Sequence, residues 1–555
     1  MRERRESMKR KIISTLLAAG ILSSAFSGIH LTASAAEVGT KWKFDFGPAS
    51  QIVASGYLGV TPATEFNETE LGGIRYGLFG QNENDYKMQS HEDGVNVVQG
   101  QVVSYAGAGS GSAATNDCVG IGTLDAGQTE GIYPIRFAMD AENNGYYEVK
   151  VSVTTLDSSK PAQGVFVYSE RRHPIVTNKT IAAGATETVT FRATVQSVLV
   201  KDRANGGVAV PYVDTKLNVL VMGDNAAISA IEVEKIAPST TKTIWCYDDS
   251  TGCDYPMALP YFPLQNYGGT AQYLSKYLPN NIALVNQGDG GLASNATSYF
   301  NLCKSNFKAG DYVYLQYGHN EGSVAGYLKN LPTYYKAAHA ASATMVYAGP
   351  IDRHHENQYT AATNTWSSSL SGISAAAKKY TEILICAGAD AGDTFVSKAQ
   401  TSMDDANAYY ADIIAAGITA SGVTDVAFVD LNAPTLAWLS QVCDEVKTAQ
   451  GASSYSSAFS DYYFRSARGT SVDGTHENDY GADATASFFF DGINAKASAA
   501  AGTIEAVEYA ALSPLVTNMR AAYGSWDHAN TDYYTNGVYT QGAAPNSMWP
   551  VVYTS

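Results

Sequence analysis

Charge and cysteine are both scarce in this chain. Only 16% of its 555 residues are Asp, Glu, Lys or Arg, and six are cysteine: Cys118, Cys246, Cys253, Cys303, Cys386 and Cys443. So few cysteines in so long a chain exclude a small disulfide scaffold, and the lack of any C-x-x-C pair excludes the usual zinc modules. Cys246 and Cys253 are near enough in sequence to be either a disulfide or two packed thiols. H-E-x-x-H is absent, so His354, His355 and Glu356 in "IDRHHENQY" form no zinc-protease helix, and no metal is expected there. G-x-S-x-G is also absent, which excludes the sharp nucleophile elbow of the α/β-hydrolases.

Long apolar runs are confined to the beginning. Six basic residues (Arg2, Arg4, Arg5, Lys9, Arg10, Lys11) precede the apolar stretch Ile12 to Ile29, which closes in "LTASAAE". That is the pattern of a secretory signal peptide, residues 1–35, with a cut after Ala35; Met8 is an equally good start. Beyond it no run of about 18 apolar residues occurs, so no membrane span is expected and the mature chain is read as secreted. Removing six basic and two acidic residues moves the net charge from −17 to −21. An acidic chain of this kind repels nucleic acid and anionic lipid, and neither is expected as a partner.

What is present changes texture near residue 240. From Lys41 to Ile236 the period is two. "YYEVKVSVT" places Tyr147, Val149, Val151 and Val153 on one face and Glu148, Lys150 and Ser152 on the other, just after an Asn144-Gly145 turn. Val189, Phe191, Ala193 and Val195 repeat the pattern, as do Leu217, Val219 and Val221. Residues 40–236 therefore read as an antiparallel β-sandwich. From residue 241 onward, strand candidates alternate with helical stretches: Thr243 to Tyr247, Ile282 to Val285, Tyr312 to Tyr317, Met345 to Ala348 and Val426 to Leu431. Such alternation predicts a parallel sheet with helices on both faces, and its chemistry belongs at the carboxyl ends of the strands.

Four segments stand at those ends. "CYDDST" puts Asp249 and Ser250 after the first strand, "NQGDGG" puts Gly291 after the second, "YGHNE" puts Asn320 after the third, and "DGTHEN" puts Asp473 three residues before His476. Taken singly, each has a plain structural use: Ser and Asp cap helices, Gly and Asn form turns, and a histidine can sit on a surface. Together they supply what acyl transfer needs. Ser250 is a nucleophile, His476 a base, Asp473 the acceptor that orients it, and the amides of Ser250 and Gly291 with the Asn320 side chain are three oxyanion donors. Asp249, Glu321 and Arg353 stand beside them as candidate substrate contacts.

In this order the four segments resemble the blocks of the SGNH (GDSL) hydrolases, most of all the rhamnogalacturonan acetylesterases of the twelfth carbohydrate esterase family. "FDFGPASQIVASGYLGVTPATEF" (Phe44 to Phe66) resembles the galactose-binding-like sandwich that precedes some bacterial members. The resemblance implies a flavodoxin-like, three-layer αβα hydrolase domain over residues 241–500, with a tail of no evident motif over 501–555. It also implies the same roles for Ser250, Gly291, Asn320, His476 and Asp473, no cofactor, and an acetylated polysaccharide as substrate. Other esters, acetylated xylan or a lipid, are the alternatives, as is a catalytically silent carbohydrate-binding protein. Two departures bear on the choice: Asp248 stands where the family has glycine, and Glu321 where it usually has aspartate.

Overall fold

The structure is a computed structural model that describes residues 36–66, 70–71, 73–78, 103–124, 134–170, 173–202, 208–255, 267–353, 359–360, 365–366, 368, 370–440, 463–466 and 471–520. The signal-peptide reading, the His354-His355-Glu356 run and Cys443 fall outside these residues.

The alternating segments of the N-terminal part pair as their period predicts. Tyr146–Thr155 lies antiparallel to Glu187–Thr194, with Val151 opposite Val189, Val149 opposite Phe191 and Tyr147 opposite Ala193. Its other edge pairs with Ala226–Ile236, which continues to Lys41–Phe46 and Leu58–Val60. A second sheet runs from His173–Ile181 through Ala162–Ser169, Lys216–Asp224 and Ile135–Asp140 to Ile74–Leu78 and Glu70–Leu71. Residues of both sheets share one apolar core: Phe44 of the first meets Phe137 of the second with ring centroids 4.8 Å apart, among Val149, Val151, Val167 and Val219. Each such fully buried side chain contributes about 1.5–3 kcal/mol. One pairing departs from the all-antiparallel expectation: Lys41–Phe46 and Leu58–Val60 run parallel.

The rest of the described chain is built on five parallel strands: β1 (Lys242–Tyr247), β2 (Ile282–Asn286), β3 (Tyr312–Leu315), β4 (Thr344–Ala348) and β5 (Val426–Val429). They lie in the order β2-β1-β3-β4-β5. This is the flavodoxin-like doubly wound order, in which β1 sits between β2 and β3 and the crossover direction reverses beside it. Successive residues of β1 face opposite layers. Ile244 and Cys246 pack with helices α1 (Thr270–Tyr277), α7 (Asp479–Asn494) and α8 (Ile504–Val516). Trp245 and Tyr247 pack with α2 (Thr297–Cys303), α3 (Val324–Ala340), α4 (Ser371–Ala387), α5 (Ala389–Ala399) and α6 (Met403–Ala416). Apolar residues on both faces explain the continuous apolar strands of the sequence.

Helix α8 corrects the reading of everything past residue 500 as a tail. Its Leu512 and Leu515 are fully buried in the sheet core, and Glu508 accepts the Phe428 amide of β5 at 2.9 Å. Its two fully buried anchors are three residues apart, but Ile504, Val507 and Val516 fall at other positions around the helix, which muted the periodic signal. Cys246 and Cys253 are free, buried thiols.

The two parts are in contact. The strand His173–Ile181 packs on α1, Leu199 enters the α/β core, and the Tyr146 hydroxyl lies 3.2 Å from Thr243 Oγ1 of β1.

Candidate active site

The sheet order brings the loops after β2, β1 and β3 side by side, so residues distant in sequence meet at one edge. Ser250 begins the turn after β1 and is 7% exposed. Its Oγ lies 2.8 Å from His476 Nε2, and His476 Nδ1 lies 2.8 Å from Asp473 Oδ2. Asp473 is itself held by its own turn, since Oδ1 accepts the amides of Thr475 at 2.8 Å and His476 at 3.1 Å. A carboxylate only accepts, so His476 carries its proton on Nδ1 and presents a lone pair at Nε2 to the serine. Burial pushes the Asp473 pKa upward, but the His476 and backbone hydrogen bonds outweigh it and hold it below the usual value.

The donors expected for an oxyanion lie around the same edge. The backbone N–H groups of Ser250 and Gly291 donate no hydrogen bond among the described residues. Gly291 has φ +75°, a left-handed conformation that favours glycine, and a side chain there would meet open space. Asn320 donates one amide hydrogen to Leu292 O at 2.9 Å, which ties it to the glycine turn and leaves its second hydrogen available. The glycine turn is tied in turn to the nucleophile strand, since the Asp289 amide donates to Asp248 O at 3.2 Å.

Asp249 corrects its assignment as a substrate contact. It is fully buried, with Oδ1 accepting the Thr251 amide at 3.0 Å and hydroxyl at 2.9 Å, and Oδ2 accepting the His319 amide at 3.1 Å. Burial pushes its pKa up, but His319 and these bonds prevail and hold it at about 2. It fastens the serine turn to the loop after β3. The other two candidates lie at the rim and are partly buried: Glu321 Oε1 accepts the Ser294 amide at 2.5 Å, and Arg353 Nη2 donates to His319 O at 2.7 Å. Arg353 Nε has no partner among the described residues.

Asp248, which stands where the SGNH blocks it resembles have glycine, turns to the interior. It is fully buried, Oδ1 accepts the Asp249 amide at 2.7 Å, and Oδ2 lies against Gly252 with no hydrogen-bond partner among the described residues. Burial, then the Asp249 carboxylate, push its pKa well above the ordinary aspartate value. Both effects disfavour a negative charge beneath the serine.

Several residues of the site were not singled out in the sequence. Tyr267 meets the His476 ring edge-on with centroids 5.6 Å apart and stacks on Tyr255 at 4.9 Å, and the Tyr255 hydroxyl donates to Ser250 O. Glu477, next to the histidine, is fully buried on Thr485 Oγ1 at 2.9 Å; burial raises its pKa to about 8. Nothing in the spacing of two isolated tyrosines, or in a glutamate that follows the histidine, announces these contacts. Among the described residues there is no cluster of three or more His, Cys, Asp or Glu fit to hold a metal, and no helix long and apolar enough to cross a membrane.

A serine hydroxyl, an imidazole and a carboxylate linked in series, with unspent amide donors at their edge, can perform nucleophilic acyl transfer. No family model and no curated protein matches the chain. Among solved structures, the chain is similar to the protein YxiM of Bacillus subtilis, at 20% identity over 83% of this chain and 99% of that one, with a TM-score of 0.33. It is also similar to a putative GDSL-like lipase from Parabacteroides merdae (13% identity, 46% of this chain and 95% of that one, TM-score 0.25). A third likeness is to an acetyl-xylooligosaccharide esterase from a Geobacillus species (13% identity, 36% and 80%, TM-score 0.20).

Proposed function

We propose that this protein is a secreted serine esterase of the SGNH type that removes O-acetyl groups from plant cell-wall polysaccharide, rhamnogalacturonan foremost. The observation that carries the reading is the unbroken series Ser250 Oγ, His476 Nε2, His476 Nδ1, Asp473 Oδ2, with 2.8 Å at each of its two hydrogen bonds.

The chemistry follows from those atoms. Ser250 Oγ attacks the acetyl carbonyl carbon as His476 Nε2 takes the hydroxyl proton, and Asp473 stabilises the imidazolium that forms. The carbonyl oxygen gains charge and is met by the N–H groups of Ser250 and Gly291 and by Asn320 Nδ2. Collapse breaks the ester C–O bond; His476 returns the proton to the departing sugar alcohol, and the acetyl group stays on Ser250. Water, deprotonated by His476, then releases acetate and restores the serine.

Acetate release from acetylated rhamnogalacturonan, acetylated xylan and a small aryl acetate tests the reading. Hydrolysis of the aryl ester with the pectic polymer as the better polysaccharide supports it. A preference for xylan would move the substrate and keep the mechanism. No release from any of them, with polysaccharide binding retained, would leave a silent binding protein.

A further inference from the structure

Behind the serine turn lies a polar chain that begins in the other part of the molecule. His173, at the start of the sandwich strand His173–Ile181, is 7% exposed, and its Nε2 lies 2.7 Å from Asp254 Oδ2. Asp254 follows Ser250 by four residues and is 6% exposed. Its other oxygen accepts from Asn286 Nδ2 at 2.9 Å, and that same amide nitrogen donates to Gly252 O at 2.7 Å. Asn286, the last residue of β2, accepts the Gly288 amide on Oδ1 at 2.9 Å. One histidine of the sandwich is thus connected, through two buried side chains, to the backbone of both the serine turn and the glycine turn. A second tie runs in parallel, since Gln287 Nε2 donates to Ser197 O of the sandwich at 2.9 Å.

The two turns have little slack between them. A side chain on Gly288 would come within 3.1 Å of Cys253 Cα and 3.2 Å of Asp248 Cβ. Displacing Asp254 therefore moves Gly252 and Gly288 together rather than being absorbed locally. Serine and oxyanion donors must hold their spacing to a fraction of an ångström, and a 1 Å error can lower a rate by about 100-fold.

We propose that His173 is a positioning residue for the reaction at Ser250: the sandwich is a structural part of the catalytic edge, fixing the serine and glycine turns through Asp254 and Asn286. The proposal rests on the esterase reading above. Because a carboxylate accepts, His173 acts as a donor from Nε2, and glutamine, whose amide reaches a similar point, preserves that bond.

The test compares full-length wild type, His173→Ala, His173→Gln and Val219→Ala, the last a buried sandwich-core truncation two strands from His173 on the same register row, using aryl acetate kinetics and melting temperature. His173→Ala is expected to lower kcat by about tenfold to 100-fold with KM within about threefold. His173→Gln is expected to restore most of kcat, and Val219→Ala to lower the melting temperature without that loss of kcat. A His173→Ala enzyme within about twofold of wild type, or a loss that Gln does not restore and Val219→Ala reproduces, overturns the proposal. Absence of hydrolysis by wild type, or retention of it by Ser250→Ala, instead overturns the esterase reading.

Discussion

Asp248 occupies the space a side chain on Gly252 would need: a Cβ built there meets Asp248 Oδ2 at 1.6 Å, its Cγ at 2.1 Å and its Cβ at 2.8 Å. The bulk of Asp248 is therefore accommodated by a glycine four residues on. Gly252→Ala is expected to destabilise the protein by about 1–3 kcal/mol through overpacking of a closed interior. Asp248→Gly in the same chain should recover most of that loss, because all three nearest contacts disappear with the Asp248 side chain. Denaturant midpoints of the two single variants and the double variant check this; additive effects would contradict it.

Asp473 sets the imidazole tautomer from a distance of 2.8 Å. Asparagine keeps the shape and offers a donor or a neutral acceptor, so Asp473→Asn should leave KM nearly unchanged and lower kcat by about 10³–10⁴-fold. Steady-state kinetics on an aryl acetate measure it, and a loss smaller than tenfold would mean that Asp473 does not orient the base.

Asn320 combines a tie to Leu292 O with one free amide hydrogen. Removing one oxyanion donor lowers kcat by about 10²–10³-fold. Asn320→Ala should show a loss of that size in kcat, whereas Glu321→Gln at the rim should act mainly on KM for polysaccharide.

Glu477 makes stability fall with pH. Its pKa is about 8 in the folded chain, pushed up by burial from 4.5. Between those values the folded state holds a proton that the unfolded state has released, so the stabilisation is complete below about pH 4.5 and is lost as pH rises to about 8. Glu477→Gln should flatten the decline of melting temperature over this window, and an unchanged slope would contradict the assignment.

The serine edge was legible because its residues sit in short segments at strand ends, where β propensity gives way to Gly, Asn and Asp. Strand candidates at Thr243 to Tyr247 and Ile282 to Val285 coincide with β1 and β2 to within a residue. The direction of Asp248 was not legible, since the inward turn depends on the space over Gly252. Nor was Asp249, whose burial follows from His319, 70 residues away. His173 was hidden for the same reason: it lies 81 residues from Asp254, and a lone histidine on an alternating strand carries no mark of what it will face. Helix α8 was missed because its apolar residues are spread around the helix and make a weak stripe.

The proposed mechanism requires Ser250 to become acetylated. Full-length protein is mixed with excess aryl acetate, quenched in acid during the first turnovers, and digested for peptide mass analysis. The expected result is one added acetyl group on the peptide carrying Ser250, accumulating when deacylation is slowed by low pH and absent in Ser250→Ala. Acetate release at the wild-type rate by Ser250→Ala, or an acetyl group found on another residue alone, would contradict it.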